Sequence, residues 1–135
     1  MRTFATKELE EVKGGIQKFE KLIVQEVCLL DDFEAQISSN PQYLSEYKTI
    51  LSHMDFIAHG KTLPSTKFRK IKGAKTKVNE YEFKSKQLRV YACSISGGKL
   101  VVMGGYKKTQ KNDINKFHSL VREYEDYIKL LENKK

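Results

Sequence analysis

Between positions 8 and about 37, large apolar residues fall at Leu9, Val12, Ile16, Phe19, Ile23, Val27, Leu30 and Phe33. The steps are three and four, the spacing of one stripe on an amphipathic helix. Gly14-Gly15 interrupts the stripe and marks a kink or the true start, since each glycine costs about 1 kcal/mol in a helix interior. Asn40-Pro41 then reads as a second helix start, with asparagine as N-cap and proline in the first turn. Leu44, Tyr47, Leu51, Met54 and Ile57 share a face of that helix, and Gly60 stops it. The two stripes are expected to pack on each other and on a sheet.

From Val78 the period changes to two. Strands are predicted over 80–84, 88–94 and 99–105, all antiparallel. A short turn near Ser85-Lys86-Gln87 joins the first pair. Ser96-Gly97-Gly98 joins the second, with glycine supplying the positive φ of a tight hairpin. Leu88, Val90 and Ala92 point to one side of their strand, and Arg89, Tyr91 and Cys93 to the other. A last helix runs from about 113 to 131, with Ile114, Phe117, Val121, Tyr124, Ile128 and Leu131 as its stripe and Asn112 or Asp113 as its cap. The predicted fold is α+β: N-terminal helices packed on a small antiparallel sheet of three to four strands, closed by a C-terminal helix. At 135 residues one domain is expected, with a helical part over 1–60, a basic connector and sheet over 61–111, and a helix over 112–135.

Charge changes this picture more than composition does. The formal net charge is +8 at pH 7, and it is not spread evenly. Residues 60–111 hold 14 basic and two acidic residues, a local charge of +12; residues 1–59 carry −4 and residues 112–135 are neutral. A concentrated cationic region points to a phosphate-rich partner, because each neutralised phosphate releases condensed counterions. No run reaches the about 18 apolar residues of a membrane span, and the first residues lack the apolar core of a secretory signal. Cys28 and Cys93 form neither a metal-ligand spacing nor a disulfide framework. A cytoplasmic protein is expected, without metal or cofactor and away from membranes.

Which residues carry chemistry? Lys84 and Arg89 lie on neighbouring predicted strands, and with pleats in register both heads reach one face. Lys107, Lys108 and Lys111 follow the last strand and would converge on that face from one edge. Lys86 sits in the intervening turn. Lys75 and Lys77, in the basic connector, read as a patch that tracks a nucleic-acid backbone. Tyr91 and Tyr106 either stack on bases or pack as half-buried strand residues. Glu82 is a base, an orienter of Arg89, or a simple ion-pair partner of Lys84 or Arg89. His118 lies off the stripe of its helix and reads as a surface histidine. No Ser, His and Asp spacing suggests a protein nucleophile, and no glycine-rich phosphate loop precedes a helix.

Tyr81-Glu-Phe-Lys84, Leu88-Arg-Val-Tyr91 and Lys99-Leu-Val-Val-Met-Gly-Gly-Tyr-Lys-Lys-Thr-Gln-Lys111, in this order before a helix, resemble the RelE/ParE superfamily of toxins, in particular its HigB-like, phage-derived branch. The likeness covers roughly residues 64–128, and the Lys-Lys-Thr-Gln-Lys turn is its most specific part. Asn112 stands where the family usually has proline, and no Tyr or His precedes His118 in the last helix. The resemblance implies an endoribonuclease that cuts messenger RNA, typically on the ribosome, without metal or cofactor. The substrate's 2′-hydroxyl would attack the adjacent phosphate while cations stabilise the developing charge. It assigns Arg89, Lys84 and Lys108 or Lys107 as the catalytic cations; Glu82, the only acid in the predicted strands, is a candidate beside them on its position alone. It also implies a protein antitoxin, a small helix-turn-helix partner, covering the cationic face. Two other functions stay open: a ParE-like toxin that disables a topoisomerase, and a non-catalytic RNA- or ribosome-binding module.

Overall fold

The computed structural model describes residues 2–73 and 77–133, so Lys75 lies outside the described residues. The chain runs β1 (Phe4–Glu8), β2 (Lys18–Val24), α1 (Leu29–Ile37), α2 (Pro41–Ala58), β3 (Phe68–Lys70), β4 (Glu80–Lys84), β5 (Leu88–Ile95), β6 (Gly98–Tyr106), a 3-10 turn (Lys107–Thr109) and α3 (Gln110–Asn133). The fold is α+β. Its strands form one six-stranded sheet in the order β1-β2-β6-β5-β4-β3. β2 and β6 run parallel, and the other neighbours are antiparallel.

The N-terminal third corrects the predicted helix. Positions 4–24 form a hairpin, and α1 begins only at Leu29. Ile16, in the middle of the expected stripe, is 81% exposed. The segment also carries a strand signal, since Phe19, Leu22 and Val24 are buried and Leu22-Ile23-Val24 is rich in β-branched residues. Two partners decide between these periods. β2 pairs with β1 on one side and with β6 on the other, from Lys18 opposite Gly98 to Lys21 opposite Val101. A side chain at Gly98 would collide with the Lys18 backbone, so that junction requires glycine.

The second helix forms as expected. Asn40 Oδ1 accepts from the Tyr43 N–H at 3.1 Å, and Pro41 occupies the first turn. Its buried face is Tyr47, Ile50, Met54, Ile57 and Ala58, rotated slightly so that Leu44 and Leu51 are half-buried. Of the three predicted strands, β4 keeps its predicted bounds, β5 is one residue longer and β6 one residue longer at each end, and Gly97 makes the hairpin turn with φ +81°. A short strand, β3, adds to their edge inside the basic connector, with Phe68 opposite Phe83.

Helices cover both faces of the sheet. On one, Phe19, Phe83, Leu88, Val90, Ala92 and Val101 pack under α1 and α2. On the other, Leu22, Tyr91, Cys93, Leu100 and Val102 pack under Phe117, Leu120 and Val121 of α3. The alternation predicted for β5 holds, yet residues 88–93 are buried throughout. The Arg89 side of the strand is therefore roofed by α3 over most of its length. Arg89 itself, at the end next to the β4–β5 turn, is 7% exposed, and the strand opens to solvent at Ser94 and Ile95. No helix among the described residues is long and apolar enough to cross a membrane.

Candidate functional site

Two loops meet at one end of the sheet. The β4–β5 turn, Ser85-Lys86-Gln87, touches the β6–α3 junction where Lys107 N–H donates to the Gln87 carbonyl at 2.7 Å. Lys86, Lys107, Lys108 and Lys111 are exposed around this contact. The junction is also the N-terminal end of α3, whose unpaired N–H groups carry partial positive charge. Lysines at that end repel the helix dipole, an arrangement that a bound anion relieves.

Glu46 of α2 fixes the turn from below. It is buried, accepts from Ser85 Oγ at 2.5 Å and Gln87 N at 2.7 Å, and takes a third bond from Gln42 at 2.8 Å. Burial works to raise its carboxyl pKa, but donation from Ser85, Gln87, Gln42 and the Leu88 amide outweighs it, so the group lies below its ordinary range. The sequence reading missed Glu46 because one acid on a surface-looking helix turn gives no local signal of what it reaches across 41 residues.

Lys84 and Arg89 are direct register partners on β4 and β5, with Gly105 of β6 next in the row. Both side chains therefore stand on the α3 face. Lys84 is half-buried and Arg89 only 7% exposed. Arg89 Nη1 donates to the Ser85 carbonyl at 2.7 Å and the Leu88 carbonyl at 2.8 Å. Those bonds hold the guanidinium at the turn, while its buried Nε has no hydrogen-bond partner among the described residues. A fixed guanidinium with a free donor suits phosphate better than a mobile lysine does.

Beside them, Glu82 is fully buried and committed elsewhere. Its carboxylate accepts from Arg69 Nε and from Gln110 Nε2 at 2.9 and 3.1 Å. It pairs with neither Lys84 nor Arg89. Arg69, opposite Glu82 on β3, thus brings a further cation to this face. The connector looked like a surface loop, and the one hint of β3 was the aromatic Phe68 in a run of cations. Gln110 ties the first residue of α3 to β4. Asp113, one turn later, accepts from Thr109 Oγ1 at 2.7 Å and lies so close to Gly105 that a side chain there would collide with it.

Other expected members fall outside the cluster. Tyr91 is 0% exposed and stacks on Phe117 at 5.4 Å, so it is a core ring and not a surface platform. Burial first, then the Glu82 and Asp113 charges, push its hydroxyl pKa upward. Lys77 lies at the opposite end, where its N–H donates to Glu125 of α3 at 3.2 Å. Tyr106 points to the α1–α2 side, and the Lys108 ammonium follows it, 5.9 Å from the ring centroid. The cations therefore wrap the end of the sheet: Arg69, Lys84 and Arg89 on the α3 face, Lys108 on the other, Lys86 and Lys107 between. His118, expected on the surface, faces the sheet and pairs with the buried Glu80. That contact fastens α3 to β4.

No group of three or more His, Cys, Asp or Glu residues among the described ones is placed to hold a metal ion. No family model, no curated protein and no solved structure matches the chain.

Proposed function

We propose that this chain is the toxin of a toxin–antitoxin pair, a metal-free endoribonuclease similar to the HigB-like branch of the RelE/ParE superfamily. One observation carries the reading: Lys84 and Arg89 stand side by side in register, next to the lysine-rich start of α3. Substrate 2′-oxygen attacks the neighbouring phosphorus, the bond to the 5′-oxygen breaks, and a 2′,3′-cyclic phosphate and a 5′-hydroxyl result. The 2′-proton leaves to solvent, and a junction lysine supplies a proton to the departing 5′-oxygen. Arg89 and Lys84 stabilise the charge that builds on the phosphoryl oxygens. Glu82, held by Arg69 and Gln110, is an anchor for those groups and not the base. The cationic end of the sheet is also the surface an antitoxin with an acidic or apolar segment would cover, by charge complementarity.

A second reading is favoured by the low exposure of Arg89: a module that grips RNA without cutting it. Incubation of the purified protein with messenger RNA, both free and engaged on ribosomes, separates the two. The nuclease reading requires 2′,3′-cyclic ends, full resistance of a 2′-O-methyl substrate, and rates at least about a hundredfold lower for Arg89→Lys and Lys84→Ala, on the scale of removing one transition-state donor. Salt-sensitive binding without new ends supports the module. Growth arrest on expression with intact mRNA and damaged DNA would point to a topoisomerase-directed toxin.

A further inference from the structure

Tyr43 of α2 and Tyr106 of β6 stand together at the border of the α1–α2 face, ring centroids 5.5 Å apart and planes inclined by 53°. Both are half-buried, so each leaves part of a ring open to solvent. Tyr106 is held from behind. Phe33 packs against it edge-on at 5.6 Å, and Gln36 Nε2 donates to its hydroxyl at 3.0 Å. The Tyr43 backbone sits in the capped first turn of α2, where its N–H donates to Asn40 Oδ1 at 3.1 Å, and its ring packs against that of Tyr106. The Lys108 ammonium lies over Tyr106 at 5.9 Å, and Lys107 follows Tyr106 directly in the chain. Sheet packing alone would be served by aliphatic side chains tucked inward. Two adjoining, half-buried rings beside a lysine cluster match what an unstacked base of single-stranded RNA requires: an aromatic surface for the base and a cation for its phosphate.

We propose that Tyr43 and Tyr106 form a shelf on which a nucleobase of single-stranded RNA stacks, while Lys107 and Lys108 hold the adjoining phosphate. The shelf rests on the RNA-directed reading above and adds a subsite to it. It lies on the opposite face of the sheet from Lys84 and Arg89, so a bound strand crosses the β6–α3 junction. Its bases lean on the helical layer and its backbone passes over the lysines. Recognition by ring faces accepts every base, so the shelf selects for unpaired, base-bearing RNA and not for a particular sequence.

Fluorescence anisotropy with the full chain tests this, using a 2′-O-methyl oligonucleotide and the same backbone carrying abasic positions. Neither can be cleaved through a 2′-hydroxyl. The wild type is expected to bind the base-bearing strand about tenfold more tightly than the abasic one, in the range of stacking on one or two rings. Tyr43→Phe keeps that preference because the ring face remains. Tyr43→Leu, which retains apolar bulk, brings the ratio close to one and leaves abasic affinity unchanged. Equal, salt-sensitive binding of both strands by the wild type overturns the shelf and leaves the RNA reading standing. Equal weakening of both strands in Tyr43→Leu makes Tyr43 a packing residue and overturns the shelf as well. Failure to bind either strand removes the RNA reading, and the shelf with it.

Discussion

The carboxylate of Glu46 accepts the backbone N–H of Gln87 at 2.7 Å, joining the helical layer to the turn between β4 and β5. Through Ser85 Oγ the same side chain holds the other end of that turn. The turn in turn supplies the carbonyl of Ser85 to Arg89 and that of Gln87 to Lys107. One acid on the far face therefore sets the positions of two cations it never touches.

Replacing Glu46 with alanine strands the Gln87 amide and the Ser85 hydroxyl, at a cost of about 1–3 kcal/mol. Denaturant midpoints measure it. The pH dependence has a defined sign. Because the folded-state pKa lies below the ordinary 4.5, the contribution is complete above that value and fades as pH falls through the lower folded value. The stability gap between wild type and Glu46→Gln should therefore narrow in acid. A gap unchanged between neutral pH and strong acid would contradict this account.

At Gly105, β6 and the first turns of α3 approach so closely that a side chain there would meet Asp113. Gly105→Ala pushes Asp113 away from the strand and disturbs its bond from Thr109. The obstructing atoms end a movable side chain, so the expected stability loss is modest, about 1 kcal/mol. The larger effect should fall on RNA affinity, because the junction lysines move with α3. Adding Asp113→Ala should restore thermal stability. If Gly105→Ala alone leaves both stability and RNA affinity at wild-type values, the close approach has no functional weight.

Lys107 and Lys108 are exposed and belong to no ion pair among the described residues. Their replacement by alanine should leave the fold intact. Each lost contact with a single strand should flatten the slope of log affinity against log salt by about 0.7. Titrations at several salt concentrations give that slope directly. An unchanged slope would remove these lysines from the interface.

Tyr91 carries a buried hydroxyl with no hydrogen-bond partner among the described residues. Tyr91→Phe keeps the stack on Phe117 and deletes only that group, so it should be neutral or stabilising by up to about 1 kcal/mol. RNA affinity should not change. A marked loss of stability would mean that the hydroxyl has a bonding partner in the fold, and a marked loss of affinity that it takes part in binding.

The C-terminal half of the fold was legible because its signals are local. Alternation over β4 to β6, glycine at the hairpin and a long apolar stripe in α3 each declare their element within a few residues. The Lys84 and Arg89 pairing followed from strand order alone. The N-terminal hairpin was not legible, because the apolar positions from Leu9 to Phe33 satisfy a helical period and only Leu22-Ile23-Val24 hints at a strand. The choice falls to β6, some 80 residues away. Candidate residues divided along the same line. Lys84 and Arg89, joined by one short turn, came together, while Lys108 followed Tyr106 to the other face and Glu82 found Arg69 and Gln110, partners on elements that no local pattern paired with it. For Tyr91 the sequence left base stacking and half-buried packing both open, because the pleat gives its direction but not what roofs that side.

The side-by-side alignment of β2 with β6 has a temporal consequence. During synthesis the first 24 residues leave the ribosome long before their permanent neighbour exists. The β1–β2 hairpin must wait, with Phe19 and Leu22 uncovered, until the meander is finished and Gly98 offers its bare backbone. Such distant closure slows folding and lengthens the interval in which hydrophobic strands stay exposed. The cationic end, built from β3 to the start of α3, is thus assembled only after β6 has been made.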